Sequence, residues 1–192
     1  MSLELLPADD RAPVPWRNGG GVTFEIAAEP VGAADFAWRL SLAIIEAEGP
    51  FSEFPEIDRT LLVAEGRIEL GVADREPRFY GAADEAAQFP GDIPSAALLP
   101  DGPAAAFNLM TRRGAWTGTL ERRVVEGAAT VICQDVTLVL APSGGLSAQL
   151  RAERLALRAG DGLCVRRARG AMLRLSSAHP DEVIVAHVNR AR

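Results

Sequence analysis

The stretch FAWRLSLAI, residues 36–44, decides the fold class. Its apolar residues Phe36, Trp38, Leu40, Leu42 and Ile44 alternate with Ala37, Arg39, Ser41 and Ala43, which is the period of two of a β-strand and not the 3.6 of a helix. Outward from it, TLLVAEGRIELGV (60–72) and ATVICQDVTLVLA (129–141) are rich in β-branched and aliphatic residues and read as further strands. Pro and Gly punctuate the chain at short intervals, in EGPFSEFPEID (48–58), FPGDIP (89–94), LPDGP (99–103) and APSGG (141–145). Only GAADEAAQF (81–89) hints at a helical turn. Many short strands without helical spacers predict an all-β barrel or sandwich with few short helical turns.

Length, composition and charge bound what such a fold does. The 192 residues suffice for one ordinary domain or two small lobes with a sizeable core. A hydrophobic content of 48% at mean hydropathy +0.07 fits a soluble globular chain. MSLELLPADD is neither basic nor apolar enough for a signal peptide, and no later run approaches the ~18 apolar residues of a membrane span, so a cytoplasmic, non-membrane protein is expected. Residues 1–112 hold 8 Arg against 19 acids, a balance of −11, and residues 113–192 hold 12 Arg against 7 acids, a balance of +5, giving the net −6. A net acidic chain without Lys is a poor partner for nucleic acid, so the RRAR cluster (Arg166, Arg167, Arg169) reads as a solvated strand edge. Cys133 and Cys164 read as small buried hydrophobes.

A faint repeat divides the chain. LLVAEGRIELGV (61–72) is followed about twenty residues later by FPGDIPS, and LVLAPSGGLSAQL (138–150) at a similar distance by LRAGDGLCV. Each half offers strand, glycine turn, strand and a Gly-Asp corner, as two related β-barrels would.

The stretch PWRNGGGVTFEIA (15–27) sets three glycines between Trp16, Arg17 and Asn18 and a strand on which Thr23 and Glu25 share a face. Without a following helix and a Lys, it is not a phosphate loop. Taken in order, PWRNGGGVTFEIA, then FAWRLSLAIIEAEGPFSEFPEIDRTLLVAEG, then FNLMTRRG resembles the HutD/Ves family, cupin-like bacterial proteins of which the first branch is associated with histidine utilisation. The match covers roughly residues 10–115 and, more vaguely, the remainder. It implies a double cupin-like barrel (a bicupin), with an N-terminal lobe over 1–112 and a C-terminal lobe over 113–192 packed as one compact unit. Two departures stand out: Glu56 replaces the family's Gly in FPG, and Ala106 stands where an Asp often precedes FN.

The residues give the chemistry its limits. Metal-binding cupins gather several His with a Glu, and this chain has only His179 and His187, both near the C-terminus, so no metal or other cofactor is expected. No Ser or Cys stands in a nucleophile motif. What remains is polar and on strands: Thr23 and Glu25 on one, Arg39 and Ser41 on the next. Read from the residues alone, these are solvent faces of a half-buried sheet. The resemblance implies instead that they line a cavity and recognise a small ligand. Trp16 and Asn18 are then presented at its mouth, with a lid packed on the core the equal alternative for Trp16. Arg39 and Arg59 suit a carboxylate, and Asn108 adds a donor and an acceptor. Thr111 and Arg112 serve either the site or the link between lobes.

The expected partner is therefore a small anionic metabolite. The family context points to an intermediate of histidine degradation, formylglutamate or urocanate, bound without metal to modulate histidine utilisation. The alternative is a metal-free hydrolase or isomerase with Glu25 as base and the arginines as oxyanion stabilisers. A nearby Arg would lower the Glu25 pKa and weaken it as a general acid, which favours binding. A homodimer is left open.

Overall fold

The computed structural model describes residues 2–191, and among them every regular element except one 3₁₀ turn (Ala8–Asp10) is a strand. The chain opens with β1 (Ser2–Leu6) and β2 (Pro13–Pro15). Next come β3 (Gly21–Glu29), β4 (Trp38–Ile45), β5 (Gly49–Pro50), β6 (Ile57–Glu65) and β7 (Arg67–Val72). After them run β8 (Arg78–Gly81), β9 (Ala87–Pro90), β10 (Ser95–Leu98) and β11 (Ala104–Arg112). The remainder holds β12 (Trp116–Ile132), β13 (Val136–Leu140), β14 (Leu146–Leu150), β15 (Glu153–Leu157), β16 (Gly162–Arg166) and β17 (Met172–Arg190). The all-β expectation holds. The helical turn expected over 81–89 does not form: Gly81 donates to the Asp84 carboxylate at 2.7 Å in a tight turn, and Ala87–Pro90 extends as β9 against β6. Edge pairing overrides the local helical preference of the Ala-Glu run.

The chain divides into two compact units, Ala12–Thr117, and Met1–Arg11 with Gly118–Arg192. The sequence reading placed the N-terminal residues in the first lobe. They belong to the second, because β1 pairs with β16 from Ser2↔Arg166 to Leu6↔Gly162. Asp161 fastens the segment after β1 by accepting the Ala8 amide at 3.0 Å.

The Ala12–Thr117 unit has two sheets. One has six strands in the order β2-β3-β4-β11-β6-β9, the other four in the order β5-β10-β7-β8. They face each other across a shared apolar cluster, to which the six-stranded sheet gives Ala43, Leu61, Val63 and Ala106 and the four-stranded sheet Ile68, Leu70, Val72 and Ala97. β4 lies between β3 and β11, so its Ala43 side, which also carries Arg39 and Ser41, points inward. On the opposite side Trp38 and Leu40 are fully buried, and Leu42 and Ile44 partly so.

The glycine triplet is a hairpin turn. Gly19 takes φ +71°, Trp16 and Gly21 close the loop through a 2.9 Å bond from Trp16 N to Gly21 O, and Glu46 and Ala47 both donate to the Gly20 carbonyl. A Cβ on Gly21 would meet the Ile44 carbonyl oxygen at 2.3 Å, so β3 approaches β4 only with Gly there. Glu56 takes φ +58°, the conformation a glycine adopts freely, so the Gly-to-Glu departure leaves the turn in place.

In the second unit β1, β16, β13, β17, β14 and β15 follow one another in a seven-stranded sheet, with β12 pairing β17. Its apolar cluster includes Leu146, Ala148, Leu163, Leu173, Leu175, Val183 and Val185, each at most 1% exposed, and the unit also buries Thr137, Asp161 and Asp181.

Candidate functional site

Register assembles the inward polar residues row by row. Residues opposed in an antiparallel pair share a face, so Glu25↔Ser41 and Ser41↔Asn108 set three side chains in one row across β3, β4 and β11. The next row runs Arg39↔Met110, Met110↔Arg59 and Arg59↔Phe89, across β4, β11, β6 and β9. In the other direction the same face continues through Ala43, Ala106 and Val63 into the apolar cluster. The polar residues therefore occupy one end of the interior, and the solvent-face reading does not apply to them.

Each guanidinium packs against two rings, and those at Arg39, Phe36 and Phe54, are tilted 54° to each other with centroids 6.3 Å apart. The Arg39 guanidinium carbon lies 4.5 Å from the Phe36 ring centroid and 5.4 Å from that of Phe54; for Arg59 the distances are 4.8 Å to Phe51 and 5.1 Å to Phe89. Arg39 Nη2 donates to Met110 Sδ at 3.4 Å, and its buried Nε has no hydrogen-bond partner. Arg59 is only 5% exposed, and its Nε donates to Asn108 Oδ1 over a long 3.5 Å. Among the described residues neither guanidinium has a carboxylate at ion-pairing distance. Glu25 accepts the Gly32 amide at 3.1 Å and reaches Arg39 only through its field.

Burial first, and then the like charge of Arg39, push the Arg59 pKa down to about 10. Burial also lowers that of Arg39, against the opposing field of Glu25. A guanidinium at about 10 is still a cation at neutral pH. Burying an unpaired charge costs several kcal/mol, whereas a desolvated cation–π contact returns about 2 kcal/mol. The rings thus offset part of the cost. The donors lie in the guanidinium plane, where a carboxylate engages two at once.

The remaining predicted residues fall nearby or apart. Thr23 accepts the Trp16 indole N–H at 2.8 Å, and Trp16 stands edge-on to Phe51 with centroids 6.2 Å apart, packed on the apolar cluster. Asn18 is exposed at the hairpin tip, where its Oδ1 accepts the Gly20 amide at 3.1 Å. Ser41 is buried and donates to the Asn108 carbonyl at 3.5 Å. Arg112 bonds Asp35 and the Phe36 carbonyl, which holds the segment carrying the Phe36 ring; Thr111 is buried one residue before it. Phe36, Phe51, Phe54, Phe89 and Met110 escaped the sequence reading. Their signal was present in the Phe residues flanking the Pro-Gly turns on either side of the arginine-bearing strands.

A cleft of about 480 Å³ opens where β8 and β9, the edge strands of the two sheets, face each other. Leu70, Val72 and Ala87 floor it, Tyr80 walls it, and it meets the arginine pair only through Phe89. A cupin metal set does not fit this interior, whose polar donors are guanidinium, amide, hydroxyl and the single carboxylate of Glu25. The two histidines lie on β17: His179 is exposed, and His187 Nδ1 sits 3.1 Å from Thr137 Oγ1. That oxygen also accepts the Gln134 amide at 2.8 Å. Burial pushes the His187 pKa down.

The sequence profile of the HutD family matches residues 8–184. An uncharacterized 21.2 kDa protein in the hutC 3′ region of Pseudomonas putida is 33% identical over 136 residues, 68% of this chain and 72% of that one. Protein Ves of Cronobacter sakazakii is 36% identical over 99 residues, 51% of this chain and 54% of that one. Among solved structures, HutD from Pseudomonas fluorescens SBW25, in a formate condition, superposes with a TM-score of 0.81 at 26% identity over the whole of both chains. A mutant of the Bacillus subtilis oxalate decarboxylase superposes with a TM-score of 0.69 at 8% identity, over 99% of this chain and 78% of that one, and shares the cupin-like fold alone.

Proposed function

The chain belongs to the HutD family, which is associated with histidine utilisation, and from that premise we propose that it binds a small carboxylate between Arg39 and Arg59. The observation that carries the reading is two inward guanidiniums stacked on rings with no carboxylate at ion-pairing distance among the described residues. An anion supplies the missing charge, and Ser41 and Asn108, in the adjoining row, supply hydroxyl and amide groups for its uncharged part. The favoured ligand is an anionic intermediate of histidine degradation, formylglutamate or urocanate, whose occupancy modulates the pathway. Binding is preferred to catalysis because Glu25, the available base, is engaged by the Gly32 amide.

Calorimetry with N-formylglutamate and with urocanate tests the reading. Saturable binding of one of them, lost in Arg59→Ala and with the ligand recovered intact by NMR, is the expected result. No binding of either removes the proposal. A product that accumulates and disappears in Glu25→Gln replaces binding with catalysis.

A further inference from the structure

Two like charges in one interior need something to hold them before an anion arrives. Arg39 and Arg59 lie in one cross-strand row, separated only by Met110, and the charge of Arg39 acts unfavourably on Arg59. Long side chains in that position relieve the repulsion by turning their heads away towards water. Here each head is packed against two rings.

The origin of those rings is uneven. Phe89 is on β9, and Phe36 stands immediately before β4, its segment fastened by Arg112; both are buried, at 4% and 2% exposed. The second ring of each pair comes from one short segment between β5 and β6: Phe51 covers Arg59, and Phe54, three residues on, covers Arg39. Neither belongs to a regular element, and both are half-buried. The segment hangs from backbone bonds at both rings, Phe51 N to the Ser95 carbonyl at 2.8 Å and Phe54 N to the Gly91 carbonyl at 2.7 Å.

We propose that Phe51 and Phe54 are positioning residues that orient both guanidiniums, from a single segment, for in-plane capture of a carboxylate. The inference rests on the anion-binding reading of the same site. Two rings packed against one guanidinium limit how far it can swing and so hold its donors in place. Because the site is formed before the ligand arrives, less ordering entropy is lost on binding. Removing one ring leaves its arginine free to swing, so affinity falls although no ligand contact has been deleted.

The test pairs binding with a signal that needs no ligand. In the wild-type protein the Nε–H resonances of Arg39 and Arg59 should be displaced by the ring currents of their neighbours. Phe54→Leu should collapse the displacement at Arg39 and leave Arg59 in place; Phe51→Leu should do the reverse. Each should weaken N-formylglutamate roughly tenfold by calorimetry, while Phe54→Tyr and Phe51→Tyr keep wild-type affinity. Phe79→Leu is the control, since its ring lies 4.2 Å from the Arg67 guanidinium, outside the arginine pair, and it should leave affinity unchanged. Undisplaced arginine signals in the wild-type protein, or wild-type affinity in both Leu variants, overturn the positioning role. Displaced, ring-dependent arginine signals in a protein that binds no carboxylate uphold the positioning and sink the anion reading instead.

Discussion

The interior of residues 12–117 carries Arg39 and Arg59, without carboxylate partners among the described residues, beside the apolar cluster of Ile68, Leu70 and Val63. The core of the second unit is filled by Leu146, Leu163, Leu173, Leu175 and Val185. Charge is handled differently there. Arg169 pairs with Asp135 at 2.7 Å and Arg122 with Glu182 at 2.9 Å, while the buried carboxylate of Asp161 accepts the Ala8 and Arg158 amides at 3.0 and 2.9 Å. In the second unit these charges are satisfied within the chain, although the buried Asp181 keeps its Oδ2 without a hydrogen-bond partner; in the first, two cations are supported by rings but not neutralised. Groups that gain nothing for folding by being buried, yet are held in place, fit the proposed role in binding.

The harshest way to break the contrast is to give the second core a charge. Leu175 is 1% exposed in that cluster. Leu175→Arg should destabilise the protein by roughly 5 kcal/mol or more, because no pair of rings waits there. Denaturant unfolding decides it: a cost near 1 kcal/mol would show that this architecture tolerates a buried cation anywhere, and Arg59 would lose its significance.

The converse substitution removes a charge from the first interior. Arg59→Met keeps length and apolar contact with Phe51 and Phe89 while deleting the cation. Affinity for N-formylglutamate should fall by roughly 2–5 kcal/mol. Folding stability should stay level or rise, since replacing a poorly paired buried charge with an apolar group is often neutral or stabilising. Lower stability with unchanged affinity would make Arg59 a structural residue.

The contrast also explains what the sequence could and could not disclose. The period of two over 36–44 located β4 and put Arg39 with Ser41 on one face, and the spacing of Thr23 and Glu25 did the same for β3. Which face turns inward is not a local property, because Arg and Ser read as solvent-facing until the second sheet is in place over Ala43 and Val63. Family resemblance, not periodicity, supplied that step. The partners of the arginines were harder still, since Phe51 and Phe54 lie in a Pro-Gly turn whose rings meet Arg59 and Arg39 only after β6 and β4 have paired with β11. The N-terminal strand was misplaced for a similar reason: Leu3↔Val165 pairs residues at opposite ends of the chain.

A smaller effect sharpens the comparison on the side of the satisfied charge. Burial raises the Asp161 pKa, but the Ala8 and Arg158 amides, with the charges of Arg158 and Arg11, outweigh it and leave the carboxyl below its ordinary value. A depressed folded pKa means stability that is present above the unfolded pKa of about 3.9 and lost as pH falls through the folded value. Asp161→Ala should cost about 1–2 kcal/mol at pH 7 by leaving two part-buried amide donors without their acceptor. Melting curves of the variant and the wild type should converge as pH drops below about 4; a gap of constant size would show that the carboxylate charge is irrelevant.

The gentlest test concerns backbone strain, which both units carry. Glu56 in the first unit has φ +58° and Arg151 in the second φ +56°, a left-handed conformation costing an ordinary residue about 1 kcal/mol. Glycine removes the strain but makes the unfolded chain more flexible, so each substitution should gain at most about 0.5–1 kcal/mol. The exposed Glu56–Arg112 contact of 3.6 Å is worth too little to reverse the sign. The difference between units should appear in binding. Glu56 follows Phe54 by two residues and its amide contacts Asp92 at 3.4 Å, so Glu56→Gly loosens one end of the segment that presents both rings. Arg151→Gly loosens only a turn between β14 and β15. Calorimetry and melting on the two variants should therefore give similar small gains in stability, with a two- to threefold loss of carboxylate affinity for Glu56→Gly alone, about 0.5 kcal/mol. Equal affinities would mean that the segment holds its rings by packing and does not depend on the strained residue at its end.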